Sequence, residues 1–459
     1  MERKKVLGFW DLALFSFCAI FGIEAIAASA AIGPSAIFWW LVCLVGFFLP
    51  FSLISAELGS AYPDQGGVYI WIKKAFGARW AARAIWCYWI ALPLWLPAIY
   101  IAIVQILSHM FFPGLALWPQ IAIGVILIWF SVVVNLCPLK FSKWVPNIGS
   151  VARFLVIAGM IAAAVLYFLK NGNFANAITW ANILPDPNAA IIFVPMIIYN
   201  LLGCELVSGA AGEMKDPKKD VPRAVIFSAL IIAFFYVITT VTVWVVVPVA
   251  DINVASGIFQ MFAIAFEGYG AVQSILVMTG LLISFALFAE IVAWNLGENR
   301  TVAEAACNGE LPKVLGKVTA KSQAPLGASI VSGVISTAVI IVYGFIARNS
   351  SELFWHIVSF SLVVELFTYL MLFPAFVALR KKDKDIERPY RVPGPQWLVI
   401  FLAVMAELFI VMAMAILFLQ PGHGLIRSAL PLIVGVFITL AAGETFIVTS
   451  MRKRKECHA

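Results

Sequence analysis

Acidic side chains recur inside segments that are otherwise strongly apolar. A charge at the centre of a bilayer costs about 2.5–3.5 kcal/mol, so such residues persist where they face a cavity, a partner or a solute. The only basic residue in a comparable setting is Arg153. Carboxylates in such excess cannot all be neutralised by one guanidinium, which predicts groups that take up protons or receive a cation from outside the protein. The acidic residues are Glu24, Glu205, Glu290, Glu365 and Glu407.

Two of these glutamates have an aromatic residue on the same predicted helical face. Trp294 follows Glu290 by four residues, and Tyr369 follows Glu365 by four, a spacing at which helical residues are neighbours. A carboxylate beside an aromatic ring can receive a protonated amine through ion pairing and a cation–π contact. Ordinary packing is the alternative for each ring taken singly.

A short pattern occurs twice, each time in the middle of an apolar segment and followed by small residues. Paired glycine-interrupted segments of this kind predict an inverted repeat whose broken helices meet at a central substrate site. The alternative is that the two glycines occur by coincidence, since membrane helices tolerate glycine. Unwinding of the second segment would bring Tyr199 over the same cavity. The two copies are Gly22, Ile23 and Glu24, and Gly203, Cys204 and Glu205.

The chain as a whole has the composition of a membrane protein. Of its 459 residues, 63% are hydrophobic and 12% are charged, which is too apolar for a water-soluble core. Segments of about 20 apolar residues, enough to cross a bilayer, recur throughout. The predicted spans are 9–32, 34–57, 81–112, 118–137, 146–169, 188–212, 222–249, 269–296, 326–347, 353–379, 396–419 and 427–450.

Basic residues alternate between the loops and so predict the orientation. On one side lie 27 lysines and arginines, and on the other only Lys170, Arg348 and Arg427; an excess of this kind marks the cytoplasmic side. Both termini are therefore predicted to be cytoplasmic, in a bacterial inner membrane. The net charge of +7 is placed to meet anionic lipid rather than nucleic acid.

The sequence has no signature of catalysis or of a bound cofactor. It lacks a G-x-S-x-G elbow, an H-E-x-x-H motif and a Walker A loop, so an enzyme and an ATP-driven pump are disfavoured. Its seven cysteines form no C-x-x-C pair, and we expect no metal, cofactor or disulfide framework. The chain has only four histidines, so a buried glutamate is a better candidate for a proton-sensitive group than a histidine relay. Arg153 is expected to tether a core carboxylate, and Glu407 to be structural or oligomeric.

Several ordered motifs together resemble the amino acid–polyamine–organocation superfamily, and within it the glutamate/GABA antiporter-like branch. The resemblance covers nearly the whole chain. It implies an all-α membrane protein with twelve helices, of which helices 1 and 6 are broken. Residues 1–170 and 186–380 would form a five-plus-five inverted repeat, followed by two helices in 395–450 and a basic tail, 451–459. The motifs are Pro63–Trp71, Gly203–Glu205, Asp251–Gly257 and Ala289–Trp294.

The resemblance also implies roles for single residues. Glu205 matches a glutamate that senses protons and handles substrate in arginine/agmatine exchangers of the superfamily. Tyr199 and Tyr369 match gating aromatics, and Trp294 matches a substrate-facing tryptophan. Glu290 is a second candidate for proton coupling. Two departures stand out, because better-known members have a tyrosine at the position of Glu365 and a non-acidic loop at that of Glu24.

These extra carboxylates favour a cationic substrate. We therefore expect an alternating-access antiporter that exchanges a cationic amine or amino acid for its metabolic product, as in agmatine/putrescine exchange. Amides at the helix 1 break would hold a carboxylate if the substrate has one. The alternative is an exchanger or proton-coupled importer of neutral or acidic amino acids. The expected partners are a small amine or amino acid and membrane lipid, without nucleic acid. Whether the protein forms a homodimer is left open.

Overall fold

The computed structural model describes residues 5–177, 179–185, 194–252, 256–347, 350–419 and 425–458. Within these ranges the regular structure is helical, and the one β-type contact is an isolated parallel bridge between Leu7 and Met214. Some predicted features fall partly outside the described residues. They are the basic N-terminus at 1–4, the start of the sixth predicted span at 188–193, the motif residues 253–255, and Arg348.

Sixteen helical segments follow one another along the described chain, with short 3₁₀ segments at Leu206–Glu213 and Val249–Asp251. The helices are α1 (Phe9–Ile20), α2 (Glu24–Ala30), α3 (Ala36–Ala61), α4 (Val68–Phe76), α5 (Ala78–Phe111), α6 (Leu117–Leu136), α7 (Leu139–Asn171), α8 (Trp180–Ile183), α9 (194–199), α10 (Pro217–Val246), α11 (Gly257–Ala265), α12 (Val272–Cys307), α13 (Leu326–Ile346), α14 (Ser350–Lys382), α15 (Gln396–Leu419) and α16 (Leu425–His458).

The expectation of a multi-pass, all-α membrane protein is confirmed. Ten helices in the described ranges are long and apolar enough to cross a bilayer, and α1 with α2 makes an eleventh span that bends by 51° at its break. The sixth predicted span is divided into α9, an irregular stretch at 200–205, and the 3₁₀ segment Leu206–Glu213. As far as they are described, neither helical piece is long enough to cross alone, so the twelve-span count stays a prediction.

Glycine permits both helix breaks, through its backbone conformation at Gly203 and through its small size at Gly22. Gly203 has φ +108°, in the region that L-residues avoid, and a Cβ there would lie 3.1 Å from the ring of Trp294. At Gly22 a Cβ would lie 2.8 Å from Asn200 Oδ1 and 2.8 Å from Glu24 Oε1. The repeated glycine thus lets the two broken segments approach each other closely.

The centre of the bundle is α5, which is buried along most of its length although it contains Pro93 and Pro97. It packs against α4, α6, α12, α13, α14 and α16. The helices α15 and α16 lie outside this core and present large apolar side chains, such as Phe401, Leu408 and Phe437, as expected for surfaces that face lipid. Helices α5, α12 and α14 therefore form a wall of the bundle beside the two breaks.

Candidate functional site

Tyr236 joins the two helix breaks. Its hydroxyl accepts a hydrogen bond of 2.8 Å from the Gly22 amide and lies 2.7 Å from the Ile20 carbonyl oxygen and 3.1 Å from that of Asn200. These are backbone groups that the interrupted helices leave without helical partners, and burial makes such groups costly unless they are bonded. Tyr236 lies on α10 and is fully buried. One side chain thus stabilises the unwound backbone on both sides of the site.

The carboxylate of Glu205 lies just beyond the second break and is held by two tyrosines. Its Oε1 accepts hydrogen bonds from Tyr88 (2.8 Å) on α5 and from Tyr369 (2.9 Å) on α14. Its Oε2 is buried and has no hydrogen-bond partner within the described ranges. Glu205 therefore connects the second break to the wall of α5 and α14 while keeping one oxygen available.

Glu24, the first residue of α2, faces a cavity that we call the Glu24 cavity. Both of its carboxylate oxygens are buried and lack a hydrogen-bond partner among the residues that the structure describes. The cavity has a volume of about 480 Å³, and its lining includes Gln105, His109 and Gln120 from α5 and α6 together with Ser256. Its mixed polar and apolar lining could accommodate a small hydrated cation beside the carboxylate.

Arg153 binds Glu290 rather than Glu24 or Glu365. Its Nη2 donates to Glu290 Oε2 at 2.5 Å. Its Nε donates to the Phe21 carbonyl oxygen at 2.8 Å, and its Nη1 to that of Ala286 at 2.8 Å. The guanidinium is fully buried and also caps a carbonyl at the first break. The guanidinium is therefore already paired with Glu290.

Two more carboxylates lie near Glu205. Glu365, one helical turn before Tyr369, is 7% exposed, and its Oε1 has no hydrogen-bond partner in the described part of the chain. Glu298, one turn after Trp294, is 1% exposed, and its Oε2 is likewise without a partner there. The Glu298 carboxyl interacts electrostatically with those of Glu365 and Glu205. Three acidic groups thus share one region with no bound cation partner among the described side chains.

An aromatic cluster borders both breaks, through contacts of Trp294 with Gly203 and with the end of α1. The ring of Trp95 lies 6.1 Å from that of Trp294 and 6.4 Å from that of Tyr199, both in edge-to-face geometry. Trp294 Nε1 donates to the Ala19 carbonyl oxygen at 2.8 Å, which fixes the indole at the end of α1. Cys204 Sγ lies 3.2 Å from Ser52 Oγ. The packing of the three aromatic rings makes the cluster a candidate surface for binding a cation and for occluding a solute.

The structure brings most of the predicted residues together and leaves one apart. Glu407 lies on α15, outside the core, with one buried carboxylate oxygen that has no bonding partner within the described chain. The remaining predicted residues border the breaks or the walls beside them. They are Gly22, Ile23, Glu24, Arg153, Tyr199, Gly203, Cys204, Glu205, Glu290, Trp294, Glu365 and Tyr369.

Four residues of this region were missed in the sequence: Tyr88, Trp95, Tyr236 and Glu298. A polar hydroxyl in the apolar span 222–249 was the available signal for Tyr236. Glu298 was missed because the eighth span was predicted to end at 296, whereas α12 continues to Cys307. Tyr88 and Trp95 lie in a span rich in aromatic residues, where no local pattern distinguishes a ligand from packing.

Comparison with known proteins identifies the family of the chain. The model of a family described as amino acid permease matches residues 7–441. The chain belongs to the amino acid permease family. The superfamily indicated by the motifs is therefore confirmed, and with it the transporter class. This permease is also similar over nearly its full length to several bacterial transporters.

Two of these relatives are named by substrate. A Lactococcus lactis protein named as a probable agmatine/putrescine antiporter is 32% identical over 452 residues, which cover 97% of this chain and 95% of the relative. The glutamate/gamma-aminobutyrate antiporter of the same organism is 25% identical over 438 residues, covering 92% and 85%. An uncharacterized transporter of Legionella pneumophila is 28% identical over 429 residues, covering 92% and 91%.

The Arg153–Glu290 pair yields a first prediction. Removing one partner of a buried ion pair costs about 3–5 kcal/mol because the other charge is left unpaired. We expect Glu290→Gln and Arg153→Met each to lower the Tm of the purified protein strongly. The double variant should lose less than the sum of the two single losses, because it leaves no orphan charge.

The matched control is Glu444→Gln, which breaks two surface ion pairs, with Arg83 at 2.8 Å and with Arg79 at 2.5 Å. Exposed pairs contribute about 0–1 kcal/mol, so its Tm should hardly change. Strictly additive losses at Arg153 and Glu290 would show that the two side chains do not stabilise the fold as a pair.

Proposed function

We propose that this permease is an alternating-access antiporter that exchanges a cationic amine or amino acid for its metabolic product, as in exchange of agmatine for putrescine. The observation that carries this proposal is the excess of buried carboxylate around the breaks. Glu24, Glu205 and Glu365 each have at least one buried oxygen without a hydrogen-bond partner in the described chain, whereas Arg153 is bound to Glu290. Buried charges are stable only when compensated, and a cationic solute would supply the compensation.

One amide at the first break is already bonded within the protein, which bears on whether the substrate carries a carboxylate. Amides at this break were expected to hold a substrate carboxylate, but the Gly22 amide already donates to Tyr236. A solute with ammonium or guanidinium groups at both ends needs no such amides. It would place one charge beside Glu24 and the other toward Glu365.

The relatives give independent support for a cationic substrate. The 32% identical relative is named for agmatine and putrescine, whose amine and guanidine groups carry positive charge at neutral pH. The 25% identical relative is named for glutamate and GABA, and it is the reason to retain a second candidate, an exchanger or proton-coupled importer of neutral or acidic amino acids. The unneutralised carboxylates weigh against that candidate.

We further propose an architecture of twelve spans with an inverted repeat. The breaks at Gly22 and Gly203 would occupy equivalent positions in the units 1–170 and 186–380, and 395–450 would add two outer helices. Both termini, with the tail 451–459, would lie on the cytoplasmic side, where the basic loops cluster. Rocking of spans 1, 2, 6 and 7 against the remainder would then expose the site alternately.

Polar contacts on the basic side favour a state that is closed toward the cytoplasm. Arg300 Nε lies 2.6 Å from Glu213 Oε1, and Lys73 Nζ lies 2.6 Å from Glu310 Oε1. The Glu24 cavity, by contrast, is bordered by residues 113–115, in the loop before α6, and by residues 256–259, at the start of α11. Both lie on the side of the bundle whose connections have few basic residues. A solute would enter this state from the outer side and reach Glu24 first.

Glu205 is proposed to connect protonation with gating. Its Oε1 holds Tyr88 and Tyr369 on the two wall helices, while its Oε2 is free to take a proton. Protonation would weaken the acceptor for both hydroxyls, because bonds to a charged acceptor are about twice as strong as neutral ones. Glu290 is a weaker candidate for coupling because it is bound to Arg153.

The exchange itself is tested in proteoliposomes that contain the purified permease. Vesicles are loaded with agmatine, putrescine, ornithine, glutamate or GABA, and uptake of labelled putrescine and labelled glutamate is followed. We expect loading with agmatine or putrescine to raise putrescine uptake at least tenfold over empty vesicles, with no effect of glutamate loading. Stimulation of glutamate uptake by glutamate or GABA, without any response to the cations, would establish the second candidate instead.

The cation-binding role of Glu24 and Glu365 is tested by Glu24→Gln and Glu365→Gln, which keep the side-chain volume and remove the charge. A bond to a charged group contributes about 1.5–3 kcal/mol, so the apparent KM for the transported cation should rise about tenfold or more. Glu407→Gln is the matched control, since it removes a carboxylate from an outer helix. Equal KM values for all three variants and the parent would exclude both residues as cation ligands.

The role of Glu205 is tested by the pH profile of exchange in Glu205→Gln. Glutamine can still accept hydrogen bonds from both tyrosines but cannot bind the proton, so exchange should lose most of its pH dependence or stop. Tyr88→Phe removes one of the two hydrogen bonds and keeps the carboxylate, so it should retain a pH-dependent rate. A Glu205→Gln protein with the flux and pH profile of the parent would remove Glu205 from the mechanism.

A further inference from the structure

A second cavity lies on the basic side of the bundle, where α14 ends and α15 begins. It has a volume of about 570 Å³, and five of its seven lining residues are basic. No described acidic residue lines it. The lining residues are Arg380, Lys381, Lys384, Ile386, Arg388, Arg391 and Gln396. We call it the α14–α15 basic cavity.

Two of its arginines are fixed in place by Glu57, a fully buried residue on α3. Arg380 Nε donates to Glu57 Oε1 at 2.8 Å and Arg388 Nη1 donates to the same oxygen at 3.1 Å. The Val392 amide donates to Glu57 Oε2 at 2.7 Å. One buried carboxylate thus orders the loop between the two helices and gives the cavity a defined wall.

The other three cations are not compensated. Lys381, Lys384 and Arg391 are exposed and form no ion pair within the described chain. Three acidic residues occur in the same stretch of chain. Asp383 and Glu387 are bonded elsewhere, to Tyr62 at 2.8 Å and to Lys218 at 2.7 Å, and Asp385 is exposed and does not line the cavity. The cavity therefore has a net positive charge that the protein itself does not neutralise.

Its position limits what the cavity can bind. The α15 helix begins at Gln396, so its amino-terminal end, which favours anions, borders the cavity. Trp397 follows with 69% of its surface exposed, and exposed tryptophans are typical of the headgroup level of a membrane. Basic pockets between membrane helices on this side suit lipid phosphates.

We propose that the α14–α15 basic cavity binds a phosphate-bearing anion, either the headgroup of an anionic phospholipid or a free phosphate compound. Lys381, Lys384 and Arg391 bind the phosphate oxygens, and the Glu57-bound arginines form the wall behind them. Each lysine or arginine near an anionic membrane contributes roughly fivefold in affinity, so loss of all three lowers affinity on the order of a hundredfold.

The test uses full-length permease in a neutral detergent and the variant Lys381→Gln/Lys384→Gln/Arg391→Gln, which leaves the Glu57 contacts intact. The matched control, Lys313→Gln/Lys317→Gln/Lys321→Gln, removes three cations from another loop on the same side. Binding of phosphatidylglycerol, phosphatidylcholine, glycerol phosphate and inorganic phosphate is measured by native mass spectrometry and by the change in Tm.

We expect phosphatidylglycerol to bind the parent and the control more tightly than phosphatidylcholine does, and the cavity variant to lose that preference. This result supports a lipid headgroup. Equal binding of glycerol phosphate or inorganic phosphate to the parent, again lost in the cavity variant, supports a free phosphate compound. If the cavity variant and the parent bind all four probes alike, or if the control loses as much as the cavity variant, the proposal is wrong.

Discussion

The pairing of Arg153 with Glu290 decides which carboxylate near the helix breaks has a directly bonded cation. Arg153 is fully buried, and its guanidinium is shared between one carboxylate and two backbone carbonyl oxygens. Among the described residues, Arg153 forms no hydrogen bond or ion pair with Glu24 or Glu365. A buried ion pair adds little net stability compared with an apolar pair of similar size. Its main consequence here is that the guanidinium of Arg153 is bonded to Glu290 and not to the other acidic groups.

Broken helices impose a second constraint, because interrupted backbone exposes polar groups that a bilayer cannot solvate. The protein satisfies several of them with the hydroxyl of Tyr236 and the guanidinium of Arg153. Both side chains come from continuous helices, α10 and α7. Rigid elements thus hold the irregular ones, and the free carboxylates at the breaks acquire defined positions although their own backbone is not helical.

The sequence predicted the charged members of the site but not how they pair. Glu24, Glu205 and Arg153 are conspicuous because charge is rare in apolar spans, and the spans themselves follow from length and composition. Which carboxylate Arg153 binds depends on the packing of α7 against α12, which no local pattern encodes. Tyr88 and Tyr236 were missed for a related reason. A hydroxyl in an apolar span is only a weak signal, and the partners that give it a role, Glu205 for Tyr88 and Gly22 for Tyr236, lie more than a hundred residues away in the sequence.

The uncompensated carboxylates also bear on why the proposed cycle is exchange rather than one-way release. An empty site that closes would seal Glu24, Glu205 and Glu365 away from water without a cation, and burying unpaired charge is costly. A bound amine offsets that cost in both directions of movement. The loaded carrier therefore reorients more easily than the empty one, and each turnover must return with a second cation or with protons on the glutamates. Coupling of this kind needs no separate mechanical device, because it follows from the charge that the fold leaves unbalanced.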